Sequence, residues 1–323
     1  MLQIHEQHSI RILEYITPEL YTSLNNLMEL CCSHDRINLK LELSYKLHLY
    51  NLAEKNSVKS AGKKNEFLYY IGEELVSYLG ISCFDGVTGE LCGMTHPDYR
   101  NQGIFHRLLA LASNECHHSD YRKFLLLADG NSKDGMRFLE HNAASYAHSE
   151  YRMKRLITAT ADKKQPSLQS DSDGPTEAEK ATAHVIIRPA EKKDEGEIAR
   201  QNTILFNDKE PDEEKNEQEI SALENQPENE KTYMVDLQGI TIGKINVEYG
   251  DSYAFIFGFG ILPEYRRMGY GRQALSETLR LIESQGTKVT ELDVVCTNNK
   301  ALSLYQSCGF EEQSVMNYYH LGI

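Results

Sequence analysis

The chain has 323 residues, with 34 Lys+Arg against 48 Asp+Glu and a formal charge of -14. That acidic balance argues against a broad grip on nucleic-acid phosphates and against attraction to an anionic membrane surface. With 40% hydrophobic and 25% charged residues, 8 prolines and no tryptophan, the composition is that of a soluble chain long enough for two cores. No apolar run is long enough to cross a membrane. The start, Met1-Leu2-Gln3-Ile4-His5-Glu6, lacks the basic and apolar regions of a signal peptide. The 7 cysteines (Cys31, Cys32, Cys83, Cys92, Cys116, Cys296, Cys308) are odd in number and lack a C-x-x-C pair, which predicts reduced thiols in a cytoplasm. The 12 histidines include His117-His118 but no metal-ligand spacing, so no metal is expected.

In chain order, Ile37–Leu49 comes first as an ambiguous segment. Its strict alternation has the period of a strand, while Leu39, Leu43, Leu47 and Tyr50 share one helix face. Strands are predicted at Leu68–Ile71, Leu75–Phe84 and Leu91–Thr95. A helix carrying Phe105, Leu108, Leu109 and Ala112 follows, and then a strand at Phe124–Ala128. The polar, apolar-poor stretch at 159–183, with Ser170-Asp171-Ser172-Asp173-Gly174-Pro175 inside it, predicts a linker. Beyond it come a strand at Val185–Pro189, a helix at Glu191–Leu205, and strands at Thr232–Leu237 and Ile240–Glu248 joined at Gln238-Gly239. A strand at Ala254–Leu262, a helix with Leu275, Leu279 and Ile282 on one face, a strand at Val289–Val295 and a helix at Ala301–Ser307 complete the order. Asp208–Lys231 holds ten acidic and three basic residues, half of the chain's net charge.

The two halves repeat each other. His96-Pro97-Asp98-Tyr99-Arg100-Asn101-Gln102-Gly103 matches Leu262-Pro263-Glu264-Tyr265-Arg266-Arg267-Met268-Gly269, with Pro, Tyr, Arg and Gly all recurring at an offset of 166. In the second copy the glycines let the chain turn tightly from strand into helix, which aims successive backbone N–H groups at one spot. Those donors and the positive helix end suit a phosphate, and Arg266, Arg267 and Arg272 add charge around it.

Together with Asn298-Asn299-Lys300-Ala301-Leu302-Ser303-Leu304-Tyr305 and Gly309-Phe310, this loop resembles the GCN5-related N-acetyltransferase (GNAT) family over residues 185–323. The resemblance implies an α/β fold of two tandem GNAT-like domains, each a mixed, mostly antiparallel sheet flanked by helices. The domains are expected at 1–158 and 184–323, joined by the 159–183 linker. It implies acetyl-CoA as co-substrate, bound by Arg266, Arg267, Met268, Gly269, Tyr270, Gly271, Arg272 and Asn298. Backbone N–H groups near Gly260, Ile261 and Leu262 are expected to hold the thioester carbonyl. An amine then attacks directly in a ternary complex, with Tyr305 as the acid for the departing thiolate. The family's strand carboxylate falls on Ile256 in this half, leaving Glu248 or Asp251 as water-mediated substitutes, while Tyr318 and Tyr319 are candidate lining residues of the acceptor pocket.

The first half resembles the family with departures. Arg100 and Gly103 persist in the loop, but Phe105 replaces the last glycine. Asn131 stands for Asn298 at an offset of 167, which sets Phe138 opposite Tyr305, with Asn142 and Ala143 opposite Gly309 and Phe310. Glu90 lies where a base is expected. Catalysis is therefore expected in the C-terminal domain, the N-terminal one being a degenerate copy. The expected partners are acetyl-CoA and an amine, a cationic one permitted by the acidic stretch at 208–231. The rival reading is an acyl-CoA sensor or interaction module with little catalysis.

Overall fold

The computed structural model describes residues 7–56, 62–118, 121–157, 184–206, 223 and 226–322. The expected linker, and residues 208–222, 224 and 225 of the acidic stretch, lie outside the described residues. The chain divides into two compact units, residues 1–151 with 314–323, and residues 152–313.

In unit 1, β1 (His8–Leu13), β2 (Glu66–Ile71), β3 (Glu74–Ser82) and β4 (Thr88–Thr95) pair antiparallel in sequence order. Strand β4 then pairs parallel with β5 (Lys123–Asp129), and β5 pairs antiparallel with the C-terminal strand β12 (Glu311–His320). The first part of β6 (Ser145–Leu156) follows β12. Helices α1 (Pro18–Asp35) and α2 (Leu43–Asn56) cover one face, where Leu24, Leu27 and Leu43 pack on Leu68, Tyr70, Tyr78 and Cys92. Helices α3 (Ile104–His118) and α4 (Lys133–His141) cover the other, where Leu108, Ala112 and Leu139 pack on Phe67, Tyr69, Leu79 and Leu91. Because both faces are covered, β2 is buried at every position and reads as a continuous apolar run instead of an alternating one. The ambiguous segment resolves as helix from Leu43 to Asn56, its leading residues being irregular. Its alternation reflects Leu41 and Leu43 both reaching the core from a chain that turns at Glu42, where φ is +56°.

Unit 2 repeats the plan. Strands β7 (Val185–Pro189), β8 (Glu230–Leu237), β9 (Ile240–Tyr249) and β10 (Tyr253–Ile261) pair antiparallel, and β10 pairs parallel with β11 (Val289–Val295). The end of β6, from Arg152, completes this unit. The β8–β9 hairpin turns on Gln238 and Gly239, both at positive φ, as a two-residue turn requires. The helices are α5 (Glu195–Phe206), α6 (Tyr270–Ser284) and α7 (Asn299–Ser307). Leu275, Leu279 and Ile282 are buried, as their spacing predicts.

The repeat holds in coordinates. α4 and α7 both end in a residue of positive φ, Ala143 at +50° and Gly309 at +87°, so Ala143 occupies the position of Gly309, not that of Phe310. A β-carbon in the left-handed region costs roughly 1–2 kcal/mol. A β-carbon at Gly309 would meet only ordinary contacts, 3.6 Å to Arg155 Nε being the shortest, so backbone strain alone decides its effect. We expect Gly309→Ala to lower the urea midpoint of the full chain by an amount equivalent to about 1 kcal/mol. Ala143→Gly, at the same place in the other unit, is expected to raise it or leave it unchanged.

Candidate functional site

In each unit the parallel pair separates before the strands end. β10 is in register with β11 only from Tyr253–Ile256 against Val289–Leu292, and β4 with β5 only from Thr88–Leu91 against Lys123–Leu126. The carboxyl ends beyond these pairs are splayed, the place where α/β sheets open a crevice. The expected phosphate loop follows each splayed strand, with matching backbone geometry in the two copies. A short 3-10 turn (Pro97–Tyr99, Pro263–Tyr265) leads into a positive-φ residue (Asn101 at 60°, Arg267 at 64°) and then a positive-φ glycine (Gly103 at 74°, Gly269 at 86°). Arg100 Nε donates to Thr95 O at 3.0 Å and Arg266 Nε to Ile261 O at 2.8 Å, so each arginine also braces the strand before it.

The side chains on this shared backbone differ. In unit 2, Arg266, Arg267, Met268 and Arg272 are exposed, and helix α6 starts at Tyr270 without a side-chain cap. Gly271, in the first turn of that helix, carries no side chain, and a β-carbon there would make only ordinary contacts, 3.7 Å to Ile261 and Leu304. In unit 1, the Arg100 guanidinium bonds Asp35 at 2.7 Å and Asp134 at 3.2 Å. Phe105 replaces Gly271, and its ring lies over Gly93, where a β-carbon would come within 2.7 Å of it. A cavity of about 200 Å³ does open here, between Gly93, Thr95, Phe105 and Phe138, but Asp35, Asp129 and Asp134 line it against the single Arg100. That balance opposes a pyrophosphate, whereas the loop of unit 2 favours one.

Asn298 caps α7, its Oδ1 accepting from Ala301 N–H at 3.2 Å. Its counterpart in unit 1 is Ser132, which caps α4 through Gly135 N–H at 3.1 Å, so Asn131 is not the matching residue. Tyr305 therefore corresponds to the buried Leu139 and not to Phe138. The Tyr305 ring is buried edge-on to Phe310 with centroids 6.0 Å apart, and burial, with Cys308 beside it, pushes the hydroxyl up to about 12. It stays a proton donor at neutral pH.

Strand β10 carries a bulge that β4 lacks. Phe257 opposes Asn246 and Gly260 opposes Lys244, leaving Gly258 and Phe259 together facing Ile245. The unpaired backbone thus lies just before the expected Gly260–Leu262, and the Leu262 N–H is already used, donating to Ile242 O at 2.9 Å. The bulge also breaks the constant offset. Both Glu90 and Phe255 stand one residue before the last parallel pair, so Phe255, not Ile256, occupies the position of Glu90. Glu248 lies opposite Phe255, bonded by Asn229 Nδ2 at 3.3 Å and raised by burial. It stands three strand residues, about 10 Å, from the bulge. The carboxylates of β11 are committed, Asp293 to Arg152 at 2.6 Å and Glu291 to Arg152 and Lys154 at 3.4 and 3.7 Å. Tyr318 and Tyr319 lie in unit 1, where β12 pairs with β5 from Met316 to His320.

Sequence reasoning overlooked two clusters. One is Lys244 in β9, a single lysine in an apolar strand, buried at 2% exposure beside the bulge. The other surrounds Glu90 in unit 1. There Lys40 Nζ reaches Glu150 at 2.9 Å and the Tyr318 hydroxyl at 2.7 Å, and His148 stacks on Tyr318 at 4.2 Å. Burial first, opposed by Lys40 and reinforced by Glu150, Glu42 and Asp85, raises Glu90 to about 7.

Residues 197–310 match the family model described as the acetyltransferase (GNAT) family. The chain is 36% identical over 69 residues to an uncharacterized N-acetyltransferase, YycN, of Bacillus subtilis, covering 21% of this chain and 44% of that one. It is 36% identical over 67 residues to the ribosomal protein bS18-alanine N-acetyltransferase of Escherichia coli K12, covering 20% and 45%. These matches span under half the length of those relatives. Among solved structures, a GCN5-related N-acetyltransferase from Sphaerobacter thermophilus superposes with a TM-score of 0.68 at 14% identity, covering 97% of this chain and 95% of that one. A tandem GNAT protein from the clavulanic acid biosynthesis pathway does so at 0.68 and 14%, covering 98% and 99%. At that identity the likeness shows the fold, two tandem GNAT-like domains of mixed, mostly antiparallel sheet.

The raised Glu90 favours the protonated carboxyl in the folded state. Its contribution to stability is complete below the unfolded value near 4.5 and is lost as pH rises through about 7. Glu90→Gln is therefore expected to melt higher than the parent at pH 8, with the gap closing toward pH 4.5, in thermal unfolding scans across that range.

Proposed function

We propose, from the match of residues 197–310 to the GNAT acetyltransferase family model, that the chain is an acetyl-CoA-dependent N-acetyltransferase acting on a primary amine, with catalysis in unit 2. The observation that carries this reading is the asymmetry of the two loops. One backbone geometry presents three exposed arginines and an uncapped helix start in unit 2, and a neutralised arginine, three aspartates and a phenylalanine in unit 1.

The residues of unit 2 fit acetyl-CoA. The α6 N-terminus with Arg266, Arg267 and Arg272 holds the pyrophosphate, and Asn298 offers its amide Nδ2. When bound, acetyl-CoA supplies an activated thioester. The backbone freed at Gly258 and Phe259 holds the thioester oxygen and stabilises the charge that develops on it. The amine nitrogen bonds to the carbonyl carbon, the C–S bond breaks, and Tyr305 gives its proton to the departing sulfur. The amine's surplus proton leaves through water, with Glu248 as the nearby raised carboxylate. A general acid contributes roughly 10²–10⁴-fold. Tyr305→Phe is therefore expected to lower kcat about a hundredfold while the Kd for acetyl-CoA stays within about twofold. Release of free CoA from acetyl-CoA in the presence of an amine panel measures the first quantity and calorimetry the second. Unchanged kcat removes Tyr305 from the acid role.

A second reading, an acyl-CoA-responsive binding module, is favoured by the commitment of Glu291 and Asp293 to Arg152 and Lys154, which keeps both carboxylates in ion pairs instead of available as a base. Tight CoA binding with no CoA release over the whole amine panel decides for it.

A further inference from the structure

Resting on the acetyl-transfer reading of unit 2, we propose that Lys244 and Asn246 form a recognition site for an acceptor amine that itself carries a carboxylate, as an amino acid does. Lys244 takes the carboxylate and Asn246 Oδ1 takes an amine N–H.

The two side chains sit two residues apart on β9 and so share one face of the sheet. They converge on the bulge, where a β-carbon on Gly258 would lie 2.6 Å from Asn246 Nδ2 and 3.3 Å from Lys244 Nζ. A β-carbon there would displace the Asn246 amide, and a φ of +53° also favours glycine. Lys244 has three donors and, among the described residues, one acceptor, Gly258 O at 3.3 Å, with the Phe206 ring 5.2 Å from its nitrogen. No carboxylate among the described residues lies within ion-pair distance of it, and burial alone lowers its ammonium to about 8, so it remains charged at neutral pH. Asn246 Oδ1 is buried without a hydrogen-bond partner among the described residues, and so is Oε1 of Gln201. Gln201 lies one turn before Leu205, and Leu205 packs over Gly260, where a β-carbon would fall 2.6 Å from it. A buried cation without a counter-charge and buried acceptors without donors are both costly. A ligand bearing a carboxylate and an N–H satisfies both at the place where the acyl carbonyl is held. A second positive charge on the acceptor, by contrast, meets the buried ammonium.

The test uses matched pairs that differ by one carboxylate: lysine and cadaverine, tyrosine and tyramine, histidine and histamine, glutamate and 4-aminobutyrate. The full-length protein is assayed at saturating acetyl-CoA. The expected result is a preference in kcat/KM of about ten- to a hundredfold for the carboxylated member of at least one pair. Lys244→Met is expected to abolish that preference and Lys244→Arg to keep it. Lys244→Met is also expected to melt no lower than the parent, because methionine replaces an unpaired buried charge. No preference across the set overturns the proposal. So does an equal loss with both members, which assigns Lys244 to the acyl group, and so does a lowered melting point, which means that a carboxylate of the chain itself pairs with Lys244. If no amine is acetylated, the transfer reading fails separately. Calorimetry with the same pairs in the presence of CoA then decides, since binding of an amino acid that Lys244→Met removes supports the site and indifference to that substitution overturns it.

Discussion

A parallel strand pair that parts half-way along its length is the constraint from which the rest of the site follows. Backbone groups beyond the last pair, at Ile256–Leu292 in unit 2 and Leu91–Leu126 in unit 1, lose their ladder partners inside a folded layer. Unpaired N–H and C=O groups in such a place demand a partner. The fold answers with a tight turn immediately after the splayed strand, braced by an arginine that reaches back to the strand's own carbonyl at Thr95 or Ile261. The crevice, the helix start and the arginine are therefore one device, and they recur together in both units.

What differs between the units is the charge placed on that device. Asp35 and Asp134 turn Arg100 into an internal brace, and Phe105 occupies the space over Gly93. The acid position is aliphatic, Leu139. Yet unit 1 retains a half-buried carboxyl, Glu90, poised near neutrality by desolvation beside the Lys40–Glu150–Tyr318 cluster. Unit 2 keeps the opposite set, with exposed arginines and a protonated tyrosine but Phe255 at the position of Glu90. Arg152 lies 4.8 Å over the Phe255 ring and holds the neighbouring carboxylates. The same backbone thus supports two electrostatic environments of opposite sign.

Most of the element order was legible, because alternating strands such as Val289–Val295 and amphipathic helices such as α6 carry strong patterns. The repeat was legible for the same reason. Three things were not. The final strands, β6 and β12, are mixed in polarity, and nothing in a local pattern tells that Ser314–His320 joins the unit built from the first half. Counting along the chain failed wherever the backbone inserts or shifts a residue. The bulge at Gly258 moved the partner of Glu90 from Ile256 to Phe255, and the cap at Ser132 moved that of Tyr305 from Phe138 to Leu139. Finally, a lysine in an apolar strand looks like an edge residue until β10 and Phe206 are seen to enclose it.

That enclosure bears on how a site without a strand carboxylate selects its acceptor. A carboxylate such as Glu90 both attracts an ammonium and accepts its proton, so binding and deprotonation are served by one group. Where Phe255 stands instead, nothing at that position draws in a cation, and Lys244, on β9 next to the splayed β10, disfavours one. Attraction then has to come from a different charge on the acceptor, and the amine itself is destabilised as an ammonium by the neighbouring cation. A like charge at short range lowers an amine's pKa. Lys244 therefore favours the neutral, nucleophilic form of the amine without accepting a proton from it. On the proposed transfer reading, the missing strand carboxylate and the buried lysine act in one direction, since both leave removal of the amine's protons to water.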